Sequence, residues 1–116
     1  MYLDDTGTTG NVTLSETAAN FRIIEVFYFN NLSGINTHQS ERIYNPDGRV
    51  ITFASTGVVE TIIQHSFASF KISGTAMTTY GEHYFNAKVN ESTTVSGGIS
   101  PASDRHNFIY CVVGYR

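Results

Sequence analysis

Short β-branched and aromatic runs, cut at close intervals by Gly, Asn, Asp and Ser, dominate this chain and limit what it can become. Residues 21–29 read FRIIEVFYF, 49–53 read RVITF and 108–113 read FIYCVV. Between the first two runs stands Asn45-Pro46-Asp47-Gly48. Proline presets one corner of a turn near φ of about −65°, and glycine accepts the positive φ that a turn exit often needs. This spacing predicts an all-β domain: an antiparallel β-sandwich, jelly-roll-like, of about seven to nine strands with at most one helical turn.

The polar segment 4–10 leads into a short first strand at 11–14 (NVTL), and 15–20 is a connection whose Ser15 can cap a single turn. Residues 21–29 form the strongest strand, with Phe21, Ile23, Glu25, Phe27 and Phe29 on one face and Arg22, Ile24, Val26 and Tyr28 on the other. A turn at 30–36 follows, then a weaker strand at 37–44 that pairs with 49–54 as a hairpin across the Pro-Asp-Gly turn. Residues 58–73 also fit a helix, but their β-branched and aromatic enrichment favours a strand with a bulge near 64–66. Strands at 74–80, 82–89 and 107–115 complete the set, with 90–103 a long Ser/Thr/Gly loop.

Two largely apolar faces on one strand imply cover on both sides. A two-layer sandwich normally wets the outer face of each sheet. The strand therefore predicts a second covering body, most economically a neighbouring subunit, with Ile24, Val26, Phe27, Tyr28 and Phe29 at the interface.

At 116 residues the chain is read as one domain with a single core. Charged residues make up 15% of it, against a usual level of about 25%. Ser, Thr, Asn and Gly fill the polar quota, a composition that suits extracellular or virion surfaces. The net charge of −3 and the lack of any basic run argue against nucleic acid as a partner. No apolar stretch approaches the ~20 residues that span a bilayer, which argues against membrane insertion. Residues 1–10 (MYLDDTGTTG) have neither the basic nor the apolar region of a signal peptide. The one cysteine, Cys111, excludes an internal disulfide and a cysteine-based zinc site, and its setting in FIYCVV predicts a buried, inert thiol.

Catalytic constellations are hard to nominate. His38, His65, His83 and His106 are scattered without ligand spacing. Glu25, within IIEVFY, is the oddest carboxylate; burial would raise its pKa, but a cationic or hydrogen-bonding partner across the sheet is the better reading. No second carboxylate, nucleophile elbow or phosphate loop accompanies it, so no catalytic residue, metal or cofactor is assigned. The sequons at Asn11, Asn31 and Asn90 matter only in a eukaryotic secretory pathway and are discounted. A binding surface remains. Tyr80, Glu82, His83 and Tyr84 surround Gly81 with aromatic faces, a carboxylate and an imidazole, and Asp104, Arg105 and His106 offer three polar heads after the long loop. Aromatic rings cover the C–H faces of sugars while short polar groups take their hydroxyls. The same residues equally suit a sheet rim with solvated charges.

Several segments taken together, GTTGNVTLSETAANFRIIEVFYF, RIYNPDGRVITF, FKISGTAMT and NFIYCVVGYR, resemble C-terminal receptor-binding or tip modules of tail fibre, baseplate and minor structural proteins from bacteriophages and prophages of Gram-positive hosts. The matching positions are 7–15, 45–48 and 112–116, and the likeness is weakest at 34–41 and 80–104. The resemblance implies a non-catalytic homotrimeric β-sandwich at the end of a longer tail protein, exposed on the virion tail at the host surface. Its expected partner is host cell-wall polysaccharide or teichoic acid. A purely structural trimerisation or capping domain, and a small carbohydrate-active hydrolase domain, are the alternatives.

Overall fold

The computed structural model describes the backbone of residues 1–8, 10–32, 35–59, 62–88, 95–99 and 107–116, and side chains within 1–4, 7–8, 10–30, 38–54, 67–80 and 107–116. Among the described residues nine strands follow in chain order: β1 (Tyr2–Thr8), β2 (Val12–Thr13), β3 (Ile23–Leu32), β4 (Ile35–Tyr44), β5 (Val50–Val59), β6 (Ile62–Ser73), β7 (Ala76–Lys88), β8 (Val95–Ile99) and β9 (Asn107–Tyr115). One 3₁₀ turn, Ala18–Asn20, sits in the connection after β2. The strands form two antiparallel sheets: a four-stranded sheet in the order β1-β9-β3-β4, and a five-stranded sheet in the order β2-β7-β6-β5 with β8 also on β7. The all-β sandwich read from the sequence is what the chain forms.

Alternation builds the core. Ile24, Val26 and Tyr28 of β3, with Ile43, Ile109 and Val112, turn inward from the four-stranded sheet. Ile51, Phe53, Ala68, Phe70, Ile72 and Met77 meet them from the other. Tyr28 packs on Phe53 with ring centroids 4.7 Å apart, and Phe53 on Phe70 at 5.8 Å. Ile109 and Val112 both face inward although they are three residues apart. A bulge makes this possible: Phe27 pairs with Cys111 and Tyr28 with Ile109, leaving Tyr110 as the extra residue. Asn30 and Asn107, each 1% exposed, close this layer through an Nδ2 to Oδ1 hydrogen bond of 3.1 Å.

Several local expectations change. The Asn45-Pro46-Asp47-Gly48 turn does not join a hairpin, because β4 pairs with β3 and β5 with β6. It is a corner between the two sheets. Asn45 takes a φ of 47° and donates its backbone N–H to Arg22 O, on the four-stranded side. Gly48, at a φ of 80°, donates to Ile72 O on the other side, and the Asp47 carboxylate accepts the backbone N–H of Gly74. The corner thus pins both sheets, and buried Pro46 sits between them. The 58–73 segment is divided, Val58 and Val59 ending β5 and Ile62–Ser73 forming β6, which settles strand over helix for those residues. Its expected bulge at 64–66 is absent: residues 64–66 pair in regular register, and the irregularity falls between Ser69 and Phe70, where Tyr80 of β7 is the extra residue. The two strands read at 74–80 and 82–89 are one, β7. The polar lead-in holds β1, and the long loop holds β8.

Close packing at the chain's end generates a test. A Cβ on Gly114 would stand 2.5 Å from the Phe21 ring and 2.8 Å from the Met1 sulfur. Gly114→Ala should therefore destabilise the domain by about 1–3 kcal/mol through overpacking. Urea denaturation would measure it, and an unchanged midpoint would show that Phe21 moves aside freely.

Candidate functional site

The interface residues inferred from the sequence divide by face. Ile24, Val26 and Tyr28 are 0%, 0% and 2% exposed and are consumed by the chain's own core, so they present nothing to a partner. This corrects their assignment: the alternation puts them against the five-stranded sheet. Phe27 and Phe29 point the other way, on the outer face of the four-stranded sheet, and are only partly buried.

There they join residues that the sequence did not place together. Phe29 stacks on Phe108, with centroids 4.9 Å apart and an interplanar angle of 8°. Tyr110 lies 6.3 Å from Phe27, 6.1 Å from Phe29 and 5.5 Å from His38, centroid to centroid. Phe108 and Tyr110 share this side by plain alternation; the bulge adds Cys111 to it and sends Val112 to the inner side with Ile109. Plain alternation from 108 to 113 would have grouped Phe108, Tyr110 and Val112. A Cβ on Gly7, at a φ of 76°, would meet Phe29 and Phe108 at 2.9 Å, so only glycine lets β1 pass so close to these rings. Cys111 pairs with Phe27 and Leu3, which puts the partly buried thiol on this outer face rather than in the core. Leu3 is 74% exposed and Tyr44 60%.

Farther along the same face Glu25 answers the question its sequence context raised. Its Oε1 accepts the Tyr115 hydroxyl at 3.0 Å, and its Oε2 accepts Ser40 Oγ at 3.1 Å and Arg42 Nε at 3.5 Å. These partners come from β9 and β4, the two neighbours of β3, and Arg42 also lies 5.9 Å over the Tyr115 ring. The Tyr115 hydrogen bond holds the Glu25 carboxyl below its ordinary value, against an opposing effect of burial, with Ser40 and Arg42 adding to the lowering. The same hydrogen bond raises the Tyr115 phenol. Three donors thus favour the charged form of Glu25, the opposite of what a general acid needs.

Of the binding residues nominated from the sequence, Tyr80 is the one with a described side chain. It is the unpaired residue of the β7 bulge and is 69% exposed. Glu82, His83 and Tyr84 continue β7 opposite Ala68, Phe67 and Ser66, and their side chains lie outside the described residues. Asp104, Arg105 and His106 lie outside them altogether. Among the described residues no three His, Cys, Asp or Glu side chains converge as a metal site would require. No protein-family model, curated protein or solved structure matches the chain.

The Glu25 cluster sets a pH test. Its folded pKa is depressed, so its contribution is complete above the ordinary value of 4.5 and is lost as pH falls through the lower folded value. Tyr115→Phe removes the largest cause, and should move the Glu25 titration upward and shrink the stability lost on acidification below that value. Carboxyl carbon NMR would follow the titration; an unmoved Glu25 would assign the lowering to Ser40 and Arg42.

Proposed function

We propose that the chain is a non-catalytic recognition module, a tip domain of a phage tail protein that assembles as a homotrimer and binds host cell-wall carbohydrate. The observation that carries this reading is the aromatic outer face of the four-stranded sheet. Sandwiches usually give that face to water, yet here Phe27, Phe29, Phe108 and Tyr110 line it beside exposed Leu3. Ring stacking contributes about 0.5–1.5 kcal/mol per pair to the sheet itself, but leaves the outward ring surfaces uncovered. A second copy is the occupant that this reading assigns to them. The number three, the virion setting and the wall-polymer ligand come from the sequence resemblance.

Tyr80 supports a ligand-facing role for the nearby edge of the five-stranded sheet. A bulge frees a side chain from the ladder and re-aims it, and an exposed ring suits a sugar face. A single site of this sort is weak, because each hydrogen bond traded from water gains only about 0.5–1.5 kcal/mol. Three linked copies on one repetitive polymer raise avidity by roughly 10²–10⁴. The competing structural reading, a cap that binds nothing, is favoured by the aromatic face alone, which needs no external ligand.

Light scattering at micromolar concentration should return three times the monomer mass of 12.8 kDa, and Phe27→Asp or Phe29→Asp should lower it. A monomer mass for the native chain would overturn the assembly. Tyr80→Ala and Arg105→Ala should each weaken binding of folded trimers to purified cell wall by about tenfold, the loss of roughly 1.4 kcal/mol. Native trimers that bind no wall polymer would favour the cap, and turnover of that polymer would favour the hydrolase.

A further inference from the structure

The corner that joins the two sheets also walls a small cleft. A cavity of about 210 Å³ lies between the 3₁₀ turn and the corner, lined by Ala18, Ala19 and Phe21 on one side and by Asn45, Pro46 and Asp47 on the other. Gly74, at a φ of 60°, fixes both walls. Its carbonyl accepts the Ala18 N–H at 2.9 Å, and its own N–H donates to Asp47 Oδ1 at 2.8 Å. The Asn45 backbone is held as well: its N–H donates to Arg22 O at 2.8 Å, and its carbonyl accepts Arg49 Nε at 3.2 Å.

This framework leaves polar capacity at the rim of the cleft. The Asn45 side-chain amide and Asp47 Oδ2 have no hydrogen-bond partner among the described residues. Asn45 and Asp47 are exposed while Ala18 and Pro46 are buried, so a polar rim surrounds an apolar floor. The local charges nearly cancel. Asp47 opposes an anion, and Arg49, bonded to the Asn45 carbonyl, opposes a cation. Arg116 lies 5.0 Å over the Phe21 ring but is neutralised by two 2.8 Å bonds to the Glu16 carboxylate. The cavity is smaller than the range of about 300–1,000 Å³ that suits drug-sized ligands, so it admits one ring rather than a chain.

We infer that this cleft binds one neutral sugar residue, the chain-end hexose of a wall glycan. This rests on the carbohydrate reading above and gives it a second site, apart from Tyr80. A sugar ring carries apolar C–H patches within a rim of hydroxyls. Phe21, Pro46 and Ala18 match the patches. The Asn45 amide both donates to and accepts from hydroxyls, and Asp47 Oδ2 accepts from them. A wholly apolar ligand would strip water from Asn45 and Asp47 and return no hydrogen bond. An extended peptide would need a longer groove. Because Gly74, Arg22 and Arg49 already hold the backbone and Asp47 Oδ1, binding orders little that is not ordered beforehand.

Amide NMR on the full chain tests this, with methyl glucoside, methyl galactoside and N-acetylglucosamine as probes and choline and inorganic phosphate as charged controls. At least one sugar should shift the backbone amides of Asn20, Asp47 and Gly48 and the Asn45 side-chain amide, saturably and at millimolar concentration. Asn45→Gly suits the φ of 47° at that position and removes the amide, while Asp47→Asn keeps an acceptor for Gly74 and removes the charge. Each should weaken that binding by about fivefold or more, with thermal melting to confirm the fold. No saturable shift at these amides with any of the three sugars overturns the inference, as does native affinity in both variants or an equal response to choline or phosphate. If the sugars leave the cleft unmoved but wall polymer still binds and Tyr80→Ala weakens it, the cleft is refuted while the receptor reading stands. If a sugar binds the cleft with the variant effects above yet no wall polymer binds, the site stands and the receptor reading falls.

Discussion

Strand β3 has two apolar faces in a chain with room for one core, and much of the structure resolves that conflict. Ile24, Val26 and Tyr28 take the interior. The other face, with Phe27 and Phe29, cannot be buried by the five-stranded sheet, and so β9 and β1 are shaped around it. Register and alternation set Phe108 and Tyr110 beside Phe29, the bulge at Tyr110 turns Val112 inward, and Gly7 lets β1 approach the rings. Burying one phenylalanine is worth about 1.5–3 kcal/mol. Partial cover by neighbouring rings recovers part of that and leaves the rest available to association.

The strands were legible where they are built from local chemistry. Both faces of 21–29, the closing strand and the choice of strand at 58–73 follow from side-chain alternation and β-branching, which act within one segment. Pairing does not. The Asn45-Gly48 turn has hairpin composition, yet its partners are Arg22, Ile72 and Gly74, all distant in sequence. What the Pro and Gly encode is a change of direction; whether the chain returns in the same sheet depends on which edges are already occupied. Strand β3 had taken β4, so β5 entered the other layer.

Bulges were the least legible feature and the most consequential for the candidate surfaces. One extra residue inverts the face of everything that follows it. At Tyr110 this inversion converts FIYCVV from a run with Phe, Tyr and Val on one side into one with Ile109 and Val112 inside. At Tyr80 it ejects a ring that plain alternation would have left in the ladder. The hint in both cases is a tyrosine among residues whose apolar spacing is odd, a signal that becomes readable only once the partner strand is known. For Glu25 the opposite holds. Its partners Tyr115, Ser40 and Arg42 lie on two different strands, but a carboxylate inside an apolar run already demanded donors from its neighbours.

The proposed recognition function draws its support from how these features are distributed. The most polar cluster, around Glu25, is internally satisfied, so its charge is spent on fixing β3 against β4 and β9. The partly exposed aromatic outer face and the exposed ring of Tyr80 are surfaces of another kind. Surfaces of that sort gain little free energy singly and much more when repeated, because a second contact made within an assembly forgoes most of the translational and rotational cost of the first. A small domain with one core therefore gains most by using its outer face and edges to assemble. Under the proposed recognition function, the edge near Tyr80 would be one of several identical sites, so that weak chemistry at each suffices.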